Sequence, residues 1–351
     1  MSFLWDKLLR PLAFSMDAER AHELGLRALK AGLASPFYSD EIDPILECER
    51  FGLKFRSPVG IAAGFDKNGV VVESLAKLGF GFVEVGTVTA RPQTGNPKPR
   101  LFRLPADRAL INRLGFNNQA AAIIADRLAK IERRCTVGVN IGRNKDVPNE
   151  AAVENYLQAF DAVLPFADYI AVNVSSPNTP DLRSLQKSSA LDELLAAIQE
   201  RNAARKPVLV KIAPDLDDRA IESVLDITLG HGLAGIIATN TTTSRNGLSS
   251  SGVSNIGDGG LSGAPLRERA TEVIRRIYSA TSGNLPIVGV GGIFTAEDAF
   301  EKIAAGASLV QAYTGFVYGG PSWPQALNAA LAKLLRERGF LSVIEAIGSG
   351  N

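Results

Sequence analysis

Cysteine and histidine are scarce in this chain of 351 residues, which contains only Cys48, Cys135, His22 and His231. Two cysteines without a CxxC pair exclude a disulfide framework, a zinc ribbon and a CxxC redox motif, and they indicate a reducing compartment. Two histidines exclude a multi-histidine metal site, and any Ser-His or Cys-His dyad would have to use one of them. The acid-base chemistry of this protein is therefore expected to depend on other residues.

An excess of charge is also missing, because 38 Lys and Arg residues face 37 Asp and Glu residues for a formal net charge of +1. Balanced charge offers no electrostatic footprint for nucleic acid. No apolar run reaches the ~18 to 20 residues that a spanning helix needs. Asp6, Lys7, Arg10 and Pro11 interrupt the N-terminus where a signal peptide needs an unbroken apolar core. With 46% hydrophobic and 21% charged residues, the composition is that of a folded globular protein.

Two short helices are predicted at the N-terminus. The first would run from about Phe3 to Leu9 and stop near Pro11, because proline lacks a backbone donor and disfavours helix in the residue before it. The second would begin at Asp17, a good N-cap with Glu19 in the first turn, and end near Gly32. Such helices either cap a core or lie in a membrane interface, where contact would depend on apolar area because cations are few.

From Ser57 onward, short β-branched apolar runs alternate eight times with loops and amphipathic stretches. In the stretches Val70–Leu78 and Asn149–Leu164, apolar residues recur at helical spacing. Buried strands between helices predict a parallel sheet, and eight units predict its closure into a (β/α)8 TIM barrel of the α/β class, with a doubly wound open sheet as the alternative. The predicted strands are Val59–Ala63, Phe82–Thr87, Thr136–Ile141, Tyr169–Val174, Val208–Ile212, Gly235–Thr239, Ile287–Val290 and Ser308–Tyr313.

Two features favour the barrel over the open sheet. The segment GVGGIF at 289–294 lacks the spacing of the GxGxxG dinucleotide fingerprint, and no other segment after a predicted strand matches it. In a barrel, the polar and glycine residues at the strand ends would converge on one mouth, where barrel enzymes place their chemistry. These residues are Lys67, Thr87, Asn140, Asn173, Ser176, Lys211, Thr239, Asn240, Thr241, Gly291, Gly292, Tyr313, Thr314 and Gly315.

Two lysines stand out among the residues of this expected mouth. Lys211 interrupts the apolar run VLVKIAP, and an unpaired buried ammonium is costly, so it needs an anionic partner and is expected to be functional. Lys67 meets the same condition, although the neighbouring Asp66 offers an ordinary salt bridge. Asparagine can instead be a turn residue and Gly-Gly a tight turn, so either alone carries little weight.

The chemistry expected at this mouth follows from its amides, hydroxyls, lysines and glycines. No cluster of acidic or histidine side chains is expected there, so no metal is predicted. The glycine-rich turns after the seventh and eighth strands match the usual phosphate site of barrels, which is built from backbone N–H groups. Asparagine presents both donors and acceptors, which suits a flat heterocycle. These residues predict a phosphorylated heterocyclic cofactor with a small imide-like substrate stacked on it.

Eight motifs follow one another along the chain: GIAAGFDKNG, PKPRLFRLPADRALINRLGFNN, NVSSPNT, KIAPDL, IATNTT, GGLSG, GVGGI and QAYTGF. One of them alone would be weak evidence, but together and in this order they are highly specific. The chain resembles the dihydroorotate dehydrogenase family, and specifically its class 2 members, which are membrane-associated and reduce quinone. The resemblance covers about Met16 to about Leu335, nearly the whole chain.

The resemblance implies an oxidoreductase of de novo pyrimidine synthesis that oxidises (S)-dihydroorotate to orotate with FMN as hydride acceptor and a membrane quinone as final acceptor. Lys211 would face the flavin ring, whose negative charge in the reduced form would be the anion that the buried lysine needs. FMN would be held across the barrel mouth by Ala62, Ala63, Gly64, Thr87, Asn140, Asn173, Lys211, Thr239, Gly263, Gly292, Tyr313 and Thr314. Substrate would be bound by Lys67, near its carboxylate, and by Asn112, Arg113, Leu114, Gly115, Phe116, Asn173, Asn178, Asn240 and Thr241.

Ser176 matches the family's catalytic base, which takes the C5 proton of dihydroorotate while hydride leaves C6 for the flavin. The soluble class 1 enzymes, which use fumarate or NAD, have cysteine at this place in the loop, so serine favours class 2. Ser175 is the competing candidate. Because a serine hydroxyl is a weak base and no histidine assists it, activation must come from desolvation or a water relay.

The resemblance also gives the N-terminal helices a role, since in the family they form a membrane-associated tunnel that brings quinone to the flavin. His22 in DAERAHELGL and Arg103 in FRLP match residues near this path, although Ala18 stands where the family often has proline. The chain is thus expected to be a peripheral protein on the cytoplasmic face of a bacterial inner membrane. Its expected parts are a helical extension at 1–40, an FMN-binding barrel at 41–340 and a tail at 341–351.

Two alternatives remain from the sequence. One is another FMN-dependent barrel oxidoreductase, such as a class 1 enzyme that uses fumarate or NAD. The other is a non-catalytic, membrane-peripheral barrel that only binds a ligand, for which the full set of polar residues at the mouth would be an unlikely accident. Bound flavin, visible by its absorbance, discriminates an enzyme from a ligand-binding barrel.

Overall fold

Thirteen strands appear in the computed structural model of this chain, which describes residues 5–39 and 41–351. Numbered in chain order, they are β1 (Cys48–Arg50), β2 (Leu53–Phe55), β3 (Val59–Ile61), β4 (Phe82–Val88), β5 (Leu101–Leu104), β6 (Ala109–Asn112), β7 (Thr136–Ile141), β8 (Tyr169–Asn173), β9 (Val208–Ile212), β10 (Gly235–Ala238), β11 (Gly260–Gly263), β12 (Ile287–Val290) and β13 (Leu309–Ala312). Eight of them form a closed parallel barrel in the order β10-β12-β13-β3-β4-β7-β8-β9. The predicted TIM barrel is confirmed, and the open sheet is excluded.

Each of the eight predicted strands is a barrel strand, and three have the predicted bounds, namely β7, β9 and β12. The other five differ by one or two residues at an end. The largest difference is at β3, where strand pairing ends at Ile61, and Ala62 and Ala63 already belong to the loop at the barrel mouth. All seven residues of β4 are buried, as expected for a strand enclosed by the barrel interior on one side and helices on the other.

Helices surround the barrel and bury one face against it. In the helix Ala152–Val163, the buried residues include Tyr156, Phe160 and Val163, which recur at helical spacing. The predicted helix at 70–78 is observed over Val72–Lys77, and Gly79 follows it with φ of +103°. The remaining helices after residue 41 are Ala121–Leu128, Ser188–Arg201, Asp218–Gly230, Val253–Ile256, Arg267–Ala280, Ala296–Ala304, Thr314–Gly319 and Trp323–Glu337, and short 3-10 turns are Ser35–Phe37, Pro44–Leu46, Pro105–Asp107, Asn149–Ala151, Leu164–Phe166, Leu182–Gln186 and Ala264–Leu266.

Two antiparallel sheets lie outside the barrel and were not predicted. The strands β1 and β2 form a hairpin, and β5, β6 and β11 form a three-stranded sheet. The connection between β5 and β6 is the turn Pro105–Asp107, followed by Arg108 with φ of +46°. This sheet covers the barrel mouth, because Leu101 and Leu110 both line the cavity there.

The N-terminal extension begins, within the described residues, with a π-helical turn at Trp5–Leu9 that leads into the helix Arg10–Ser15. Residues 3 and 4 of the predicted first helix lie outside the described residues. The prediction that this helix stops near Pro11 is wrong. Pro11 lies in the first turn of the helix. An N–H group has no intrahelical partner at this position, so the helix tolerates a proline, which lacks that group.

The second N-terminal helix agrees with its prediction and spans Ala18–Lys30. Asp17 is its N-cap, with a side-chain oxygen that accepts from the N–H of Arg20 at 2.9 Å. Gly32 follows the helix with φ of +73°, a conformation that favours glycine at a helix end. In the part of the chain that the structure describes, no helix combines the length and apolar character needed to cross a membrane.

The C-terminal residues 341–351 pack against the barrel at the end opposite its mouth. The Val343 N–H donates to the Ile45 carbonyl at 2.9 Å, and the Gly350 N–H donates to the Ala304 carbonyl at 2.9 Å. Val343 and Ala346 are buried. This segment therefore contributes to the closed end of the barrel and lies far from the residues described next.

Candidate active site

The carboxyl ends of the barrel strands open into one cavity, as the barrel prediction requires. Most of the residues predicted for cofactor and substrate line it. Residues that were not predicted also line it, among them Ser262, Leu266 and Gln311. The predicted residues in the lining are Ala62, Ala63, Gly64, Lys67, Thr87, Asn112, Leu114, Gly115, Phe116, Asn173, Ser176, Asn178, Lys211, Thr239, Asn240, Thr241, Gly263, Gly292, Tyr313 and Thr314.

Two predicted residues, Asn140 and Arg113, are not part of the cavity lining. Asn140 is fully buried beneath the floor, where its side-chain oxygen accepts from Thr87 Oγ1 at 2.6 Å. The guanidinium of Arg113 stacks 4.7 Å from the ring centroid of Phe102 and donates to the carbonyl of Asp258 at 3.0 Å. Asn140 therefore holds in place Thr87, which lines the cavity. Arg113 links the mouth-covering sheet to the loop before β11.

A buried carboxylate that sequence reasoning missed, Glu84 in β4, lies beneath the cavity floor. It is completely shielded from solvent, and its Oε1 atom is 3.6 Å from the Nζ atom of Lys211. Glu84 is thus the anionic partner that the buried lysine needs, a part that the sequence interpretation gave to the reduced flavin. The signal was present in the segment FVEVGTV, where a charge interrupts a buried run in the same way as Lys211 does.

Two further side chains complete the surroundings of Glu84. Gln311 Nε2 donates to Glu84 Oε2 at 2.7 Å, and the Tyr169 hydroxyl donates to the same oxygen at 3.0 Å. Burial, reinforced by the charge of Glu84, raises the pKa of Tyr169 well above its ordinary value. Tyr169 consequently remains a protonated donor at any physiological pH.

The two candidate serines have different surroundings. Ser175 Oγ donates to Asn173 Oδ1 at 3.0 Å and accepts from Asn240 Nδ2 at 2.9 Å. Ser176 lines the cavity, and its Oγ accepts from the Asn178 N–H at 3.2 Å. Both hydroxyl oxygens accept an N–H donor, but of the two serines only Ser176 lines the cavity, so the geometry favours Ser176 over Ser175 as the residue that can take a proton from a bound molecule.

Lys67 projects into the cavity from the loop after β3. Its Nζ donates to the Gly64 carbonyl at 3.0 Å. The alternative of a bridge to Asp66 is not realised, because that carboxylate accepts from the N–H groups of Val70 at 2.9 Å and Val71 at 2.8 Å. Burial lowers the pKa of Lys67 to about 8, partly offset by the charge of Glu19. An anionic ligand would therefore find a cation at this wall at neutral pH.

The asparagine side chains of the cavity hold one another in place. Asn178 Nδ2 donates to Asn112 Oδ1 at 3.1 Å, and Asn240 Nδ2 donates to Asn173 Oδ1 at 3.2 Å. Two buried acceptors in the lining, Thr241 Oγ1 and Gln311 Oε1, have no hydrogen-bond partner within the described residues. Since buried polar atoms are normally paired, these two oxygens point to a ligand with hydrogen-bond donors.

One corner of the cavity is built of close-packed backbone. Gly292 has φ of +73°, and a Cβ atom on it would lie 2.5 Å from the Cα atom of Arg267. Thr314, the first residue of a helix that starts at the end of β13, lies in the same lining and contacts Ser262 Oγ at 2.9 Å. Glycine turns and helix starts of this kind expose backbone N–H groups suited to a phosphate.

A second, mainly apolar cavity of about 420 Å³ lies between the N-terminal helices and the barrel. Its wall includes Trp5, Leu9, Phe14, Ala21, Leu29, Phe37, Phe65 and Phe316. It shares three lining residues with the first cavity, Leu101, Leu110 and Tyr313. An apolar molecule in the second cavity would therefore lie next to a molecule in the first.

His22 and Arg103, predicted for a quinone path, both line the second cavity. The ring of His22 packs edge-on against Phe65 with centroids 5.0 Å apart. Burial, assisted by the charge of Lys67, lowers its pKa to about 3, so His22 is neutral at physiological pH. Arg103 donates to the Met16 carbonyl at 2.8 Å and the Phe14 carbonyl at 3.1 Å, at the junction of the two helices.

A buried ion pair joins the second N-terminal helix to the loop before β5. Arg100 Nη2 donates to Glu19 Oε1 at 2.7 Å, and both side chains are less than a tenth exposed. The same guanidinium donates to the Asn96 carbonyl at 2.7 Å, and Asn96 Nδ2 donates to the Asn178 carbonyl at 3.0 Å. Sequence reasoning placed Glu19 in the first turn but could not show this partner, which is 81 residues away along the chain.

Histidine and acidic residues do not gather around either cavity in the manner of a metal site. Within the described residues, no group of three or more His, Cys, Asp or Glu side chains could hold a metal ion. His231, the other histidine, lies at the end of the helix Asp218–Gly230 and pairs with Asp192 at 2.7 Å.

Comparison with known proteins gives matches over nearly the whole chain. A family model described as dihydroorotate dehydrogenase matches residues 45–335. A Mycobacterium marinum protein named dihydroorotate dehydrogenase (quinone) is 50% identical over 97% of this chain and 96% of its own length. A protein of the same name from Gloeobacter violaceus is 51% identical over 97% of this chain and 98% of its own length. The ligand-free crystal structure of DHODH from Eimeria tenella has a TM-score of 0.89 at 40% identity and covers 95% of this chain and 99% of that one.

Proposed function

The chain belongs to the dihydroorotate dehydrogenase family, and from this premise we infer that it oxidises (S)-dihydroorotate to orotate with FMN as hydride acceptor and a quinone as final electron acceptor. This reaction is a step of de novo pyrimidine synthesis. The observation that carries the assignment to this chain is the pair of adjoining cavities, one polar and one apolar, which share Leu101, Leu110 and Tyr313. One cavity suits a polar heterocycle on a flavin, and the other suits a quinone.

FMN supplies the redox chemistry, because its ring accepts hydride from the substrate and then gives up electrons to the second acceptor. The residues of the mouth fit this cofactor. The corner at Gly292 and Thr314 offers backbone donors to the phosphate. The unpaired Gln311 Oε1 offers an acceptor, and the Lys211 ammonium offers a positive charge to the ring.

We propose that Ser176 is the base that takes the proton from C5 of dihydroorotate. Its oxygen lies in the cavity lining and already accepts the Asn178 N–H. The cation at Lys67 would bind the substrate carboxylate, and the linked amides of Asn112 and Asn178 would bind the pyrimidine ring. The surrounding residues exclude water, which strengthens each of these contacts.

The second cavity is our proposed route for the quinone. Its wall is apolar apart from a few groups that include the neutral His22 and the anchored Arg103, and neither of them requires a charged ligand. We further propose that the N-terminal helices rest on the cytoplasmic face of a bacterial inner membrane. Leu8, Leu12 and Leu33 are 60%, 63% and 71% exposed, and such side chains can bury their apolar area among lipids.

The experiment that tests this function is anaerobic mixing of the purified protein with dihydroorotate. We expect a yellow protein whose flavin absorbance bleaches while one orotate forms for each flavin. Ser176→Ala should retain its flavin yet bleach more slowly, by roughly the 10²- to 10⁴-fold typical of lost general-base catalysis. A colourless protein, or a flavin that dihydroorotate does not bleach, would contradict the assignment.

A further inference from the structure

We propose that Glu84 is a positioning residue for the redox reaction, which pairs with the Lys211 ammonium and fixes it at the floor of the cavity where FMN would bind. The inference rests on the proposed function, since it takes FMN to occupy the barrel mouth. It concerns a residue that lies outside the cavity lining, and it explains why a carboxylate is buried in the centre of this barrel.

The carboxylate of Glu84 is fully engaged inside the barrel. One oxygen, Oε1, accepts from Asn140 Nδ2 at 3.0 Å and is 3.6 Å from Lys211 Nζ. The other, Oε2, accepts from Gln311 Nε2 at 2.7 Å and from the Tyr169 hydroxyl at 3.0 Å. These four partners come from four different strands, β7, β9, β13 and β8. Donors at both oxygens hold the carboxylate in one orientation, with Oε1 toward Lys211.

The residues bound to Glu84 lie between this carboxylate and the cavity where the cofactor would bind. Lys211 and Gln311 line the cavity, whereas Glu84 lies below them and is 0% exposed. Because Gln311 gives its Nε2 to Glu84, its Oε1 is turned away from the carboxylate and lacks a partner. Glu84 would therefore leave a cation and an acceptor facing bound FMN, while its own negative charge lies behind Lys211 and Gln311, outside the cavity lining.

Few other titratable groups can influence this pair. The eight barrel strands contain only three titratable side chains, Glu84, Tyr169 and Lys211. The hydroxyl of Tyr169 stays protonated, as its raised pKa shows. Lys67 enters the same cavity from the loop after β3, and it is common to every variant considered below. Glu84 is therefore the one carboxylate that the barrel strands place beside Lys211.

Loss of the Glu84 charge would change the number of protons that the protein takes up when its flavin is reduced. A buried ammonium without its anion gives up its proton more readily. Reduction of FMN held at the barrel mouth would add negative charge near Lys211 and, in the variant, would draw a proton back onto the amine. In the wild type the Glu84 carboxylate stays beside the ammonium, so only the variant is expected to take up this additional proton for each pair of electrons.

The test is the midpoint potential of the bound flavin between about pH 6 and about pH 9, measured on the full-length, FMN-loaded protein without substrate. Each proton taken up per two electrons changes the oxidised-to-reduced ratio about tenfold per pH unit, or about 30 mV for a two-electron couple. Glu84→Gln keeps the shape of the side chain. At the alkaline end we expect the midpoint potential of this variant to fall by about 30 mV more per pH unit than that of the wild type. Tyr169→Phe, which removes a donor to Glu84 but no charge, should keep the wild-type slope.

Parallel profiles for the wild type and Glu84→Gln would overturn the inference and leave the proposed function intact. A wild-type protein that binds no flavin would overturn both. If Glu84→Gln does not fold, the double variant Glu84→Gln/Lys211→Met removes both charges. Recovery of folded protein, judged by circular dichroism and melting temperature, would show that the unpaired lysine caused the failure and support the inference. Failure of the double variant to fold would overturn it, because the need for Glu84 would then be independent of Lys211.

Discussion

Replacing Glu19 by glutamine is expected to undock the N-terminal helices while the barrel stays folded. The Glu19 carboxylate receives three hydrogen bonds from Arg100, at 2.7, 3.0 and 3.2 Å. Both side chains are buried, with 7% of Arg100 and 8% of Glu19 exposed. This pair joins the helix Ala18–Lys30 to the loop before β5, and the barrel strands do not take part in it.

The expected size follows from the burial of the pair. Removing one partner of a buried ion pair costs about 3–5 kcal/mol, because the remaining charge is left without compensation. Glutamine still offers one oxygen to Arg100, so we expect the lower end, about 3 kcal/mol. At about 1.4 kcal/mol for each factor of ten, the docked state of the helices would be disfavoured by roughly 100-fold relative to the wild type.

Two rates from stopped-flow spectroscopy report the effect. Flavin bleaching by dihydroorotate should be nearly unchanged, whereas reoxidation by a soluble quinone should slow, since Glu19 docks a wall of the apolar cavity. Hydrogen exchange should become faster in residues 18–30. Glu23→Gln is the matched control, because Glu23 lies one turn later, is 46% exposed and pairs at 3.6 Å with the exposed Lys98, which also lies 3.4 Å from Glu19. Unchanged reoxidation and exchange in the Glu19 variant would refute the reasoning.

The same ion pair predicts that docking of the N-terminal helices weakens at acidic pH. Burial alone would raise the pKa of Glu19, but the hydrogen bond and charge of Arg100 outweigh it and hold the pKa below its ordinary value. The stabilisation is therefore fully present above the ordinary pKa of the carboxyl group and is lost as pH falls through the lowered value. As pH falls, reoxidation of the flavin by quinone should fail before the barrel unfolds. Loss of reoxidation and of the barrel fold at the same pH would contradict this account.

Three more predictions concern the first cavity. Dihydroorotate should bind more weakly as pH rises through about 8, because Lys67 then loses the proton that makes it a cation, and a KM independent of pH in this range would remove Lys67 from carboxylate binding. Gly292→Ala should lower the FMN content of the purified protein, since the new Cβ would lie 2.4 Å from the Cβ of Arg267, and full flavin content would contradict the phosphate assignment. Lys211→Ala should weaken FMN retention or slow flavin reduction, and normal behaviour in both measurements would leave Lys211 a structural role.

The barrel could be predicted from the sequence because its strands are short, apolar and regularly spaced. Each predicted strand was found in place, with errors only at ends such as Ile61, where the choice between strand and loop depends on pairing partners. The helix Ala18–Lys30 was predicted because its N-cap and its glycine end are local signals. Pro11 misled the prediction, since proline stops a helix only when it lies beyond the first turn.

The features that were missed depend on contacts between distant parts of the chain. The sheet β5-β6-β11 joins segments about 150 residues apart, and no local pattern pairs Gly260 with Asn112. Glu84 carried a readable signal, a charge within a buried strand, but only the closed barrel brings it within 3.6 Å of Lys211. The same holds for Glu19 and Arg100, whose pairing requires the helix to lie against the barrel.

The central claim is that the flavin passes electrons from dihydroorotate to a quinone, and one double-mixing experiment tests it most directly. The flavin is first bleached anaerobically with dihydroorotate and then mixed separately with a soluble quinone, with fumarate and with NAD. The account predicts that quinone restores the flavin absorbance within the time of a turnover and that fumarate and NAD do not. Rapid recovery with fumarate or NAD, and none with quinone, would contradict it.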